Sequence, residues 1–118
     1  MTIQELYTRI GGNYDDILGR LAKDSLVERF VLMYPADTSF ETLIKAIESG
    51  NISEEFRAAH SLKGVSANLG FSELRKAASD LTEQLRPQTE PANPTFIEAV
   101  KTAHQKVIAA IQEYQASK

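Results

Sequence analysis

Apolar residues recur at three- and four-residue spacing through almost the whole chain, and no stretch alternates with period two for long. The pattern predicts helices throughout. Thr2 with Glu5 forms a capping-box signature ahead of Ile3, Leu6, Tyr7 and Ile10, and Gly11-Gly12 stops that segment. Asn13 can cap a second helix that buries Tyr14, Ile17, Leu18 and Leu21. A third starts at Asp24 or Ser25, carries Leu26, Val27, Phe30, Val31 and Tyr34 on one side, and is broken at Pro35-Ala36-Asp37. Thr38 with Glu41 opens a fourth, which carries Phe40, Leu43, Ile44 and Ile47 and is closed by Gly50. Asn51 or Ser53 opens a fifth, closed by Gly70, and Ser72 opens a sixth with Leu74, Ala77, Ala78, Leu81 and Leu85. Residues 87–93, with Pro87 and Pro91, form the one obvious loop, and Asn93-Pro94 reads as a cap followed by a favoured first-turn proline. The last helix carries Phe96, Ile97, Val100, Val107, Ile108, Ile111 and Tyr114. Four longer helices with short connections predict an all-α fold, an antiparallel up-down four-helix bundle with additional N-terminal helices across one end or side. Residues 1–118 read as a single domain, with the N-terminal helices in 1–36 and the bundle in 38–117.

The fifth helix has a face that core formation does not explain. An α-helix advances about 100° per residue. With His60 at zero on a helix over roughly residues 53–69, Ala58, Leu62, Val65 and Leu69 fall between about 140° and 200°. His60 therefore points away from the core. Beside it lie Gly64, about 40° around, and Ala67, about 20° to the other side, with Arg57 and Lys63 near 60° on either flank. A histidine beside almost bare backbone, with a cation on each side, is a landing surface for something anionic. A neutral imidazole nitrogen is a nucleophile near neutral pH, and an exposed one can take a phosphoryl group. That group carries negative charge on three oxygens, which nearby cations stabilise. Lys63 stands one turn along, at i+3, as a neighbour of His60. Gly64 at i+4 leaves a notch, at a helix cost of roughly 0.5–1 kcal/mol relative to Ala. Close approach of another molecule explains such a cost most simply. Phe56, one turn before His60, reads either as a contact for that partner or as a side chain bent back over the N-terminal helices, and the small neutral patch beside His60 favours the contact. Geometry alone equally allows a plain surface histidine and a tolerated glycine.

Composition removes several other classes. The 118 residues are enough for one domain with a real core. A net charge of −3 argues against a general nucleic-acid binder, which would be basic. No apolar run approaches the roughly 20 residues of a membrane span, and the N-terminal residues show no export signal. The absence of cysteine removes disulfides, thiolate catalysis and Cys-based metal sites, and it suits a cytoplasmic setting. His104 lies on the apolar stripe of the last helix, between Ile97 and Ile111, and reads as a packed or boundary histidine rather than a second phosphosite. A His60/His104 metal pair lacks carboxylates at ligand spacing, because Arg57 stands where a bundle metal site would place Glu; no metal site is expected. Asp15-Asp16 and Glu54-Glu55 stand near helix starts, where the dipole favours them, and read as structural.

The string Ala59-His60-Ser61-Leu62-Lys63-Gly64-Val65-Ser66-Ala67-Asn68-Leu69-Gly70 resembles the signature of histidine-containing phosphotransfer (HPt) domains, H-x-L-K-G with L-G five residues on. The similarity extends, less specifically, over roughly residues 25–117. One departure is visible: family members often carry Leu-Glu in the following helix, where this chain has Leu81-Thr82 and then Glu83. The resemblance implies a four-helix bundle whose exposed histidine shuttles phosphoryl groups between receiver domains of two-component signalling proteins. It implies His60 as phosphoacceptor, Lys63 as the charge stabiliser and Gly64 as the clearance residue. Arg86 matches a basic position that some members carry at the end of the following helix, a second stabilising candidate. Phe56, Arg57, Gly64, Ala67 and Asn68 would form the docking surface. The resemblance implies no ATP site or kinase activity, and the chain shows no Gly-rich phosphate loop. No cofactor of its own is expected; the receiver partner would supply the aspartate and Mg2+.

Two alternatives stay open. The chain could be an interaction module of HPt fold that takes no phosphate, or the HPt module of a hybrid or chemotaxis-type histidine kinase. Intact His60, Lys63 and Gly64 favour the carrier, and Met1 suggests a free-standing protein. The expected partners are response-regulator receivers, with a hybrid kinase as a further candidate, and neither nucleic acid nor membrane. The chain is expected to be a monomer.

Overall fold

Helix starts follow side chains that can satisfy the first free backbone N–H groups. In the computed structural model, which describes residues 1–117, Thr2 and Glu5 form a reciprocal capping box at the head of α1 (Ile3–Arg9). The Asn13 side chain accepts from the backbone N–H of Asp16 and starts α2 (Tyr14–Leu21). α3 (Asp24–Met33) starts behind Lys23 with no side-chain cap. Pro35 does not cut α3 off abruptly; the chain tightens into a single 3-10 turn, Tyr34–Ala36. The expected Thr38–Glu41 capping box does not form at the start of α4 (Ser39–Ser49). Thr38 has helical dihedrals (φ −95°, ψ −1°), so its hydroxyl cannot reach round, and Asp37 accepts from the Ser39 N–H instead. Asn51 caps α5 (Ile52–Asn68), and Asn93 with Pro94 starts α7 (Pro94–Ala116). α6 (Ser72–Leu85) lies between them. The described residues contain no strand.

α4, α5, α6 and α7 pack in sequence order, α4 on α5, α5 on α6 and α6 on α7. Their short connections make these neighbours antiparallel. The ring closes where Phe40 of α4 stacks flat on His104 of α7, with centroids 3.7 Å apart and planes 8° apart. Leu43, Leu62, Leu74, Leu81, Leu85, Val100, Val107 and Ile111 fill the interior. Each Leu→Ala change there would cost about 2–5 kcal/mol.

Several residues expected in the core are only half covered. Tyr14, Leu18 and Leu21 on α2, and Phe40, Ile44 and Ile47 on α4, are half-buried. Phe30 departs furthest, at 42% exposure. Val27, Val31 and Tyr34 make the inward stripe of α3, and Phe30 falls at its edge.

The N-terminal helices are tied to the end of α5. Tyr7 donates its hydroxyl to the Leu69 carbonyl at 2.5 Å, and the Asn13 N–H donates to the Gly70 carbonyl at 2.8 Å. Gly70 takes φ +70°, and the Phe71 and Gly70 N–H groups bond back to Ser66 and Ala67 in a Schellman ending. A Cβ on Gly70 would also stand 2.8 Å from the Asn13 carbonyl oxygen, so the tie requires glycine twice over. Phe71, fully buried, sits against Tyr7 and Tyr34 beneath this junction. α5 is thereby held at its C-terminal end, while the His60 face of its middle is exposed.

Candidate functional site

His60 lies in the middle of α5 and is exposed, opposite the buried Leu62. The buried face is wider than its apolar residues indicate and includes Glu55, Ala59 and Ser66. The Ser66 hydroxyl is satisfied by donation to the Leu62 and Lys63 carbonyls. Gly64, one turn beyond His60, has no positive φ, and a Cβ built on it would meet nothing within 4 Å. Neither backbone conformation nor an internal neighbour requires glycine there. The notch opens to solvent beside the imidazole.

The Phe56 and His60 rings are neighbours, tilted 56° to each other with centroids 6.1 Å apart. Arg86, the C-cap of α6, places its guanidinium over the other ring, 5.4 Å from the Phe56 centroid. That guanidinium is also paired with Glu83: Arg86 Nε donates to Oε2 at 3.0 Å and an Nη to Oε1 at 2.9 Å. The pairing holds the Glu83 carboxyl below its ordinary value, aided by the positive charges of Arg86 and Lys63, and raises Arg86. So Phe56, His60, Lys63, Gly64 and Arg86 share one surface, with Glu83 among the cations.

The other expected surface residues lie further out. Arg57 is exposed but reaches back along the helix to Glu54 at 2.9 Å, beside Thr38 and Ser61. Ala67 is half-buried, and its carbonyl accepts from Arg20 of α2 at 3.1 Å. Asn68 is exposed and borders a groove of about 340 Å3 between α3 and α5, lined also by Phe30, Met33, Val65 and Leu69. Phe30 and Met33, 42% and 58% exposed, are the large apolar side chains left uncovered among the described residues.

Sequence reasoning missed three features. Glu83 was passed over as a shifted helix residue; its i, i+3 spacing to Arg86 was the available signal. The exposure of Phe30 and Met33 had no signal, because it depends on where α3 lies. Glu55 was read as a first-turn acid but is 1% exposed. Its Oε1 accepts from the Ala92 N–H at 3.1 Å, and Gln84 holds the same loop through the Pro91 carbonyl and the Asn93 N–H. Residues 87–93 are thus pinned between α5 and α6, which fixes the end of α6 that carries Arg86. His104 is a packed histidine: Tyr34 and its Nδ1 are 2.7 Å apart, and burial lowers its pKa.

The Hpt domain family model matches residues 26–112, so the chain belongs to the Hpt domain family. Members of this family carry out histidine phosphotransfer in phosphorelays and pass phosphoryl groups to response-regulator receivers. No curated protein and no solved structure matches the chain. Among the described residues no helix is long and apolar enough to cross a membrane.

Proposed function

We propose that His60 accepts a phosphoryl group from a receiver-domain aspartate or a kinase and passes it to another receiver. The observation that carries this is the pairing of an exposed imidazole with a glycine whose side-chain space is empty, in the middle of a helix. A protein built only for stability would gain from filling that position.

The chemistry requires little of the chain. The lone pair of one His60 ring nitrogen forms the N–P bond while the O–P bond to the aspartyl carboxylate breaks, and the carboxylate leaves with that electron pair. The proton on the far ring nitrogen can then leave to solvent. Lys63 and Arg86 offset charge on the phosphoryl oxygens. Phe56, Gly64 and Asn68 meet the receiver, and Phe30 and Met33 extend that surface across α3 with an apolar patch. Arg57 and Ala67 lie at its margin. The partner supplies Mg2+, and the chain binds no cofactor itself. We take residues 1–118 as one functional unit, monomeric and cytoplasmic.

The test is transfer from a phosphorylated receiver to the wild-type protein and to His60→Gln, followed by intact mass. His60 is exposed, so the variant should fold, and it should take no phosphoryl group. Equal labelling of both proteins would assign the phosphoacceptor elsewhere.

A further inference from the structure

We propose that Glu83 is a counter-charge that holds Arg86 off the site until His60 carries a phosphoryl group, and so drives the group onward to a receiver. This rests on His60 as phosphoacceptor.

Arg86 is positioned twice. It is hydrogen-bonded through two nitrogens to Glu83 and laid over Phe56, whose ring lies against His60. The guanidinium therefore lies one aromatic ring away from the imidazole and is already satisfied by a carboxylate. Glu83 also lies within electrostatic reach of Lys63 and His60 themselves. One acid on α6 thus balances the cations on the His60 surface.

A phosphoryl group on His60 would change that balance. Its oxygens are strong acceptors and compete with Glu83 for Arg86 and Lys63. An ionised carboxylate has no proton to donate, so Glu83 can only repel the phosphoryl oxygens. Free His60 is compatible with the Glu83–Arg86 pair; phosphorylated His60 is not fully compatible with it. The carboxylate consequently makes phosphohistidine less stable relative to a phosphorylated receiver, as suits a carrier that must release its load. Glu83 and Arg86 are both exposed, so as an i, i+3 helix pair they contribute little to folding.

The test measures the equilibrium division of phosphoryl groups between a receiver and the wild type, Glu83→Gln, Arg86→Ala and the double variant, after circular dichroism shows all four folded. Glu83→Gln should raise the phosphohistidine share roughly two- to fivefold, the scale of one exposed charge interaction. In the Arg86→Ala background the same substitution should have a smaller effect, because only the direct repulsion and the competition for Lys63 remain. An unchanged division in Glu83→Gln, or the same gain with and without Arg86, overturns the proposal. Failure of the wild type to take label from both the receiver and phosphoramidate overturns the assignment of His60 instead.

Discussion

Gly64→Gln separates folding from docking. The position is mid-helix, its φ is not positive, and the space a Cβ would occupy holds no atom within 4 Å. The substitution therefore meets no steric cost within the chain. It gains helix propensity and restricts the unfolded state, together about 0.5–0.7 kcal/mol. Unfolding entropy near 2.1 cal/mol/K per residue gives about 0.25 kcal/mol/K for this chain, so Tm should rise by about 2–3 °C. Phosphotransfer should move the other way. The new side chain stands one turn from His60, in the space through which an aspartyl phosphate would approach. A displacement of about 1 Å from in-line geometry can cost on the order of a hundredfold in rate. The assay pairs a thermal melt with two phosphodonors. The receiver should label the variant about a hundredfold more slowly, while phosphoramidate, which needs no docking surface, should label it nearly as well as wild type. Equal loss with both donors would mean the glycine serves the chemistry rather than the approach. Full activity with the receiver would refute clearance altogether.

Two further outcomes follow from the interior. Glu55→Ala orphans the buried Ala92 N–H and should cost at least about 1–3 kcal/mol, read by urea denaturation, whereas Glu55→Gln keeps an acceptor and should lose much less; equal losses would remove Glu55 as the loop's anchor. His104 has a lowered pKa in the fold, so the unfolded chain binds the extra proton first, and stability should fall as pH drops below about 6.5. His104→Phe should flatten that slope below about pH 6.5, and a slope unchanged in the variant would place its origin in another group.

Helix number, the Asn13, Asn51 and Asn93 caps and the placement of His60 were legible because they depend on local spacing. The angular argument on one helix put His60 opposite Leu62, and the fold keeps it there. What was not legible depends on contacts between helices. Glu55 looks like any first-turn acid until the 87–93 loop folds over it. Thr38 is the right residue type for a cap, but it takes helical dihedrals after an extended Asp37, and Asp37 accepts from the Ser39 N–H instead. Phe30 belongs to the apolar side of α3 by pattern, yet lies beyond the edge of the surface that α3 meets. Glu83 was visible as a residue and invisible as a partner, since its importance arises from Arg86 folding over Phe56 from a different helix.

The most direct test of the account is the location of the label after a phosphorylated receiver is mixed with the protein. Intact mass should show one added phosphoryl group, lost on brief acid treatment, and peptide mapping under neutral conditions should find it on His60. The same label should be absent from His60→Gln and present on His104→Gln. Acid-labile label persisting in His60→Gln, or mapping to any other residue, would contradict the account at its centre.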